Sequence, residues 1–231
     1  MTEFLNFAVF GIYPYIALAT LIVGSVLRYD KDPYTWRAGS SQLLRRKQLM
    51  WGSVLFHLGV LVIFVGHFVG LLTPIAVFDA LGVTHTAKQL MAIIGGGIAG
   101  VIGIIGATLL IHRRFFDARV RAASSFADNM IILILWVQLA LGLGTIPVSL
   151  RHLDGAEMVN FMNYSQGIFT FNFEASNFII EASPIFKTHM FLGLTILLLF
   201  PFTRLVHMLS APVRYMWRSG YQIVRTKKKR I

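Results

Sequence analysis

Four histidines in this chain stand where a histidine is expensive. His57 and His67 lie in FHLGVLVIFVGHF, residues 56–68, and His189 and His207 lie in a second apolar stretch, residues 184–210. An ionisable side chain at membrane depth is rare, is normally paired, and marks a functional site by default. The other three histidines, His85, His112 and His152, fall at the ends of apolar runs or between them, where an imidazole costs little. Two facing neutral imidazoles suit the axial positions of a haem iron. Each gives one ring nitrogen, and an iron filled on both faces exchanges electrons without binding oxygen. The chain has no cysteine and no CxxCH, so a porphyrin would be held non-covalently, as a b haem. The same absence excludes disulfides, thiolate ligands and a cysteine-held iron–sulfur cluster.

The elements that must position these histidines are membrane-spanning helices. Of 231 residues, 56% are hydrophobic and only 13% are charged, against about 25% in soluble domains. Five apolar segments reach the length of roughly 20 residues that a span requires: residues 4–26, 48–72, 89–111, 127–149 and 184–210. The expected fold is an all-α, polytopic bundle of five transmembrane helices, with residues 1–231 forming one transmembrane unit that ends in a basic tail, 211–231. The longest connection, residues 150–183, suffices for a small cap. The first apolar run starts directly after MTEF, without a basic leader region, and reads as a retained span.

A net charge of +11 raises nucleic acid as a partner, but the basic residues follow the pattern that orients a membrane protein. Arg28, Lys31, Arg37, Arg45, Arg46 and Lys47 fall in residues 27–47, and Arg113, Arg114, Arg119 and Arg121 in residues 112–126. The tail adds seven more and ends in RTKKKRI. The other two connections carry Lys88 and Arg151, together with Asp154, Glu157, Glu174 and Glu181. The two basic loops and the C-terminus are therefore expected in the cytoplasm and the N-terminus outside, with no nucleic-acid role. The tail also suits attraction to anionic lipid headgroups.

Orientation restricts which histidines can meet. Antiparallel second and fifth spans bring His57 beside His207 and His67 beside His189, in two pairs at two depths. Regular helices strain this picture. Ten residues rise about 15 Å and eighteen about 27 Å, and ten residues leave His67 about 80° round from His57. Gly59, Gly66 and Gly193 flank the histidines, which suits either close approach of a flat macrocycle or helix packing. The third span's GGGIAGVIGIIG reads as a packing surface. A haem-free membrane transporter or anchor, its histidines bonding across helices, is the competing reading. Zinc is disfavoured, because no third or fourth ligand clusters at either depth.

With these residues in hand, the chain resembles the gamma (cytochrome b) subunit of membrane-bound respiratory nitrate reductase. The resemblance is carried by IYPYIA (12–17), RYDKDPYTWRAGSSQ (28–42), LFHLGVLVIFVGHFVGLLTP (55–74) and LLLFPFTRLVH (197–207). It implies two b haems, an inner one on His57 and His207 and an outer one on His67 and His189. It implies a site near the outer haem that oxidises a membrane quinol, with Lys88 and Gly66 at matching positions. It further implies an iron–sulfur (beta) subunit and a molybdenum catalytic (alpha) subunit as partners, at the bacterial cytoplasmic (inner) membrane. A related cytochrome b anchor serving another quinol-linked reductase is the alternative within the same chemistry. His85 is a candidate proton relay or a solvated loop histidine. Arg204, with Arg113 or Arg114, is a candidate partner for haem propionates. The segment GIFTFNFEASNFII (167–180) is expected either to rest on the membrane interface or to roof the quinol pocket.

Overall fold

The computed structural model describes residues 2–36 and 44–210. The basic tail and Arg37 lie outside them. Helix α1 (Thr2–Phe7) passes through a π-helical turn, Ala8–Ile12, into α2 (Tyr13–Lys31); α3 is Arg46–Leu72 and α4 Ile75–Ala80. Then follow α5 (His85–Phe116), α6 (Ala118–Ala122), α7 (Phe126–Ser149), α8 (Ala156–Phe169) and α9 (Pro184–Leu199). No strand occurs among the described residues. Five stretches are long and apolar enough to cross a membrane: Glu3–Lys31, Arg46–Leu72, His85–Phe116, Phe126–Ser149 and Pro184–Phe202. Large apolar side chains such as Leu58, Leu61, Phe64, Val65 and Phe68 face outward. Water would penalise such a surface, whereas hydrocarbon does not. The chain is a multi-pass membrane protein.

Local chemistry sets the helix ends. Thr84 Oγ1 accepts the Ala87 amide at 3.2 Å, so α5 starts at His85 and carries Lys88 on its first turn. Ser125 caps α7 by accepting the Asp128 amide at 3.1 Å. In the first span Pro14 has no N–H for the Phe10 carbonyl one turn back. The buried Tyr164 hydroxyl of α8 donates to that carbonyl at 3.1 Å. Burial pushes the Tyr164 phenol well above its ordinary pKa, so it remains a donor. This bond and Asn6 Nδ2 donating to Ser176 O at 2.8 Å tie the cap to the first span.

Helix α3 packs on α5, α5 on α7, α7 on α9, and α9 on α2. The α3–α5 seam is built from small residues. A Cβ on Gly59 would stand 2.5 Å from Ala99 O, and one on Gly106 would stand 2.2 Å from the Phe56 amide nitrogen. Contact this close between backbones is the small-residue mode of membrane helix packing.

The fifth span departs from the sequence expectation of one helix over 184–210. The α-helix ends at Leu199, a 3₁₀ turn covers Phe200–Phe202, and Thr203 is extended (φ −122°, ψ −179°). A second 3₁₀ run, Arg204–Ser210, carries His207. Pro201 is the cause, since it lacks the N–H that would reach Leu197 O; the Phe200 amide takes that carbonyl instead.

Candidate functional site

The structure brings together the two pairs that antiparallel spans require. The His57 and His207 rings have centroids 6.2 Å apart and are inclined at 70°. The His67 and His189 rings are likewise 6.2 Å apart, inclined at 45°. A metal–imidazole bond is about 2 Å long and its nitrogen lies about 1 Å from the ring centre, so rings ligating one ion from opposite sides stand roughly 6 Å apart. Both gaps fit that spacing. No group of three or more His, Cys, Asp or Glu able to hold a metal ion occurs among the described residues, so a two-ligand centre that brings its own equatorial donors fits these residues best.

Three of the four rings are oriented by their own backbone. His57 Nδ1 lies 2.8 Å from Ser53 O, His67 Nδ1 2.9 Å from Ile63 O, and His207 Nδ1 2.5 Å from Arg204 O. Each contact places the proton on Nδ1 and leaves Nε2 as the free lone pair, the arrangement typical of metal-ligating histidine. His189 is held differently. Its Nδ1 is buried with no hydrogen-bond partner among the described residues. Its Cε1 lies 3.1 Å from where a Gly142 Cβ would sit, and Gln138 Nε2 donates to the His189 carbonyl at 3.1 Å. Sequence reading missed both α7 residues. Gln138 carried a usable signal, being a lone amide deep in an apolar span, whereas Gly142 had none among so many glycines.

The three flanking glycines separate. Gly59 is a packing residue in the α3–α5 seam, and a Gly193 Cβ would press on Gln138 Nε2 at 3.3 Å. A Cβ on Gly66 would meet nothing within 4 Å, so only that glycine faces open space beside its histidine. In the third span Gly100, Gly103 and Gly106 pack on Leu143, on Leu139 with Gly59, and on Phe56 with Gly52 respectively.

Lys88 is buried at the end of the bundle that bears the His67–His189 pair. Its ammonium stands 3.9 Å over the Phe78 ring and donates to Met162 Sδ. It lines a small apolar pocket with Ile75, Phe78, His85, Met158 and Met162. His85 Nε2 lies 3.7 Å from Asp79 Oδ1 at the exposed rim. Gly155 enters α8 at φ +76°, where a Cβ would also strike His85 at 2.9 Å, so only glycine suits this junction. The pocket wall therefore comes from α4 and the first half of α8. The aromatic segment 167–180 lies elsewhere: Phe171 and Phe173 pack on Tyr15, at 5.8 and 6.0 Å between ring centres. Gln166, just before it, donates to Leu71 O and Thr73 O and closes the end of α3.

At the opposite end, Arg204 Nε donates to Asp128 Oδ1 at 2.6 Å, and Arg114 Nη1 lies 3.6 Å from Asp128 Oδ2. Arg113 is buried and donates to Leu44 O at 2.7 Å. Asp128 was not singled out from sequence, although an acid in the first turn of a span beside a basic loop was the available signal.

The chain is similar to known proteins along nearly its whole length. The family model for the nitrate reductase gamma subunit matches residues 6–227. The chain is 49% identical over 225 residues to the respiratory nitrate reductase 1 gamma chain of Escherichia coli (strain K12), covering 97% of this chain and 99% of the relative. It is 46% identical to the respiratory nitrate reductase 2 gamma chain of the same strain, covering 99% and 100%. It is 37% identical to the nitrate reductase gamma chain of Bacillus subtilis (strain 168), covering 90% and 93%. Five spans, the two histidine pairs and full-length similarity converge, and the chain belongs to the nitrate reductase gamma subunit family.

Proposed function

We propose that this membrane subunit of respiratory nitrate reductase oxidises quinol and delivers the electrons across the bilayer, with one b haem on His67 and His189 and another on His57 and His207. The observation that carries the proposal is the repeated 6.2 Å spacing of facing imidazoles at two levels. On α3 alone the two levels are separated by a rise of about 15 Å. When bound, such haems would supply single-electron transfer. The chain's residues supply the rest. Backbone carbonyls fix the tautomers of His57, His67 and His207, Gly142 and Gln138 seat His189, and Gly66 leaves space beside His67.

Quinol oxidation belongs at the Lys88 end. Lys88 is a buried cation whose three donors can bind a quinol oxygen. Phe78 and Met162 cover it, so a quinol reaches the ammonium by displacing them. His85 and Asp79 stand at the pocket rim as proton acceptors open to solvent. The distribution of basic residues between the loops supports this end lying outside and the opposite end in the cytoplasm. There an iron–sulfur subunit docks and passes electrons to a molybdenum subunit that reduces nitrate. Inward electron flow and outward proton release charge the bacterial cytoplasmic membrane.

The test is haem counting on the intact complex in native membranes. Two b-type haems per gamma chain are expected. His67→Ala or His189→Ala should remove one of them, and His57→Ala or His207→Ala the other. Lys88→Ala should keep both haems and lose quinol turnover. A wild-type complex without b-type absorbance, or loss of the same haem from His57→Ala and His67→Ala, refutes the assignment.

A further inference from the structure

The break in the fifth span leaves His207 on backbone that no α-helix supports, and the first span supplies the support. Where a helix is interrupted in a membrane protein, the freed carbonyls need other donors. Here one side chain meets that need. Arg28, near the end of α2, directs Nη1 to Pro201 O at 2.6 Å and to Thr203 O at 2.8 Å. Those two carbonyls flank the turn at which the chain leaves the axis of α9. The guanidinium is itself held from its other edge, Nη2 donating to Thr35 O at 2.8 Å and Nε to Thr35 Oγ1 at 3.3 Å. Next along the chain, Trp36 Nε1 donates to Ser210 Oγ at the far end of the 3₁₀ run. The Trp36 ring packs against the cluster of Ile131, Phe200, Leu205 and Val206. The span itself fits the break closely, since a Cβ on Gly24 would lie 2.7 Å from Pro201 Cγ. The segment from Arg28 to Trp36 thus grips residues 201–210 at both ends, with His207 between.

We propose that Arg28 is the positioning residue for the His207 ligand arm: its guanidinium holds the carbonyls of Pro201 and Thr203 on either side of the break and so sets where the imidazole stands opposite His57. The backbone part of this proposal stands on the hydrogen bonds alone, and its consequence for a haem rests on the function proposed above. Arginine is required because two carbonyls on one side and Thr35 on the other must be reached from one rigid plane, which a lysine ammonium cannot span.

The experiment is Arg28→Gln and Arg28→Lys in the full complex, read by hydrogen–deuterium exchange and by the electron paramagnetic resonance signal of each haem. Exchange in residues 200–210 should rise by about tenfold or more in Arg28→Gln while that of 184–199 stays unchanged. The signal of the His57–His207 haem should shift or vanish while that of the His67–His189 haem persists. Arg28→Lys should restore only part of the protection. Unchanged exchange with both signals intact overturns the proposal. If the variants do not assemble, Thr35→Val decides, because it removes the hydroxyl that steadies Arg28 Nε and that also donates to Asp32 O within the same turn. A shift confined to the His57–His207 haem supports the proposal, and an unmoved signal overturns it. A haem-free wild-type complex would sink the haem assignment instead, and the exchange measurement would still decide the role of Arg28.

Discussion

Replacing Gly106 by alanine tests whether the α3–α5 seam sets the position of the histidine-bearing helix. The added Cβ would lie 2.2 Å from the Phe56 amide nitrogen and 2.8 Å from Gly52 O. Ordinary contact for a methyl carbon begins near 3.5 Å, so the helices must separate by roughly 1 Å at this point. Both obstacles are backbone, and no rotamer change relieves them. Overpacking of this kind costs about 1–3 kcal/mol, offset in part by the helix propensity that alanine gains over glycine, about 1 kcal/mol. Gly96→Ala is the internal control. It lies on the same helix, its Cβ would meet nothing within 4 Å, and it receives the propensity gain alone. The assay is thermal unfolding of both variants in one lipid nanodisc preparation. Gly106→Ala should melt below the parent and Gly96→Ala at or above it, with a spread of roughly 1–3 kcal/mol between the two, the overpacking cost alone, because the propensity gain is common to both. Because Phe56 adjoins His57, the same displacement should perturb the His57–His207 pair and spare the other. Identical melting of the two variants refutes the seam as the feature that positions α3.

Asp128→Ala removes the carboxylate shared by Arg204 and Arg114 and leaves two guanidinium groups facing each other without their common partner. A loss of roughly 2–3 kcal/mol in the same unfolding assay is expected, with Asp128→Asn intermediate; wild-type melting would show that the cluster does not join α5, α7 and the fifth span. Gly142→Val places branched carbons where His189 Cε1 already stands 3.1 Å from an ideal Cβ. The spectrum of the haem proposed for the His67–His189 pair should shift, with the one proposed for His57–His207 as a constant reference, and a spectrum identical to wild type would refute Gly142 as the seat of His189.

What was legible in the sequence was what long-range chemistry dictates. Apolar length located five spans, the first four to within about five residues at each end and the fifth overrunning its true end at Phe202, because a hydrocarbon layer admits few alternatives. Polar groups at depth located His57, His67, His189 and His207, and opposed chain directions paired them as they stand. Side-chain seating was not legible. Gly59, Gly66 and Gly193 look equivalent on paper, yet one is wedged against α5, one is open and one touches Gln138. Composition does not say which face of a helix a neighbour will cover. The Lys88 pocket shows the same limit: its wall comes from α8 and α4, short helices whose docking depends on Gly155 turning at positive φ beside His85. The aromatic segment 167–180 carried the stronger signal and packs elsewhere.

The fifth span shows how a geometric conflict in a sequence can itself be informative. Straight helices would hold His57 and His67 about 15 Å apart along the axis and about 80° apart around it, but His189 and His207 about 27 Å apart on a single face. Two straight rods cannot satisfy both sets at the same ring spacing, yet both pairs stand at 6.2 Å. One rod must therefore break between its histidines. The 3₁₀ rise of about 2 Å per residue exceeds that of the α-helix, so a collinear continuation would worsen the axial mismatch. The chain must instead turn, and the extended residue Thr203 after Pro201 provides the turn. A proline between the two histidines of one span was thus the readable sign that the arm carrying His207 leaves the helix axis. A turned arm needs an anchor outside its own helix, which is the part that Arg28 plays through Pro201 O and Thr203 O.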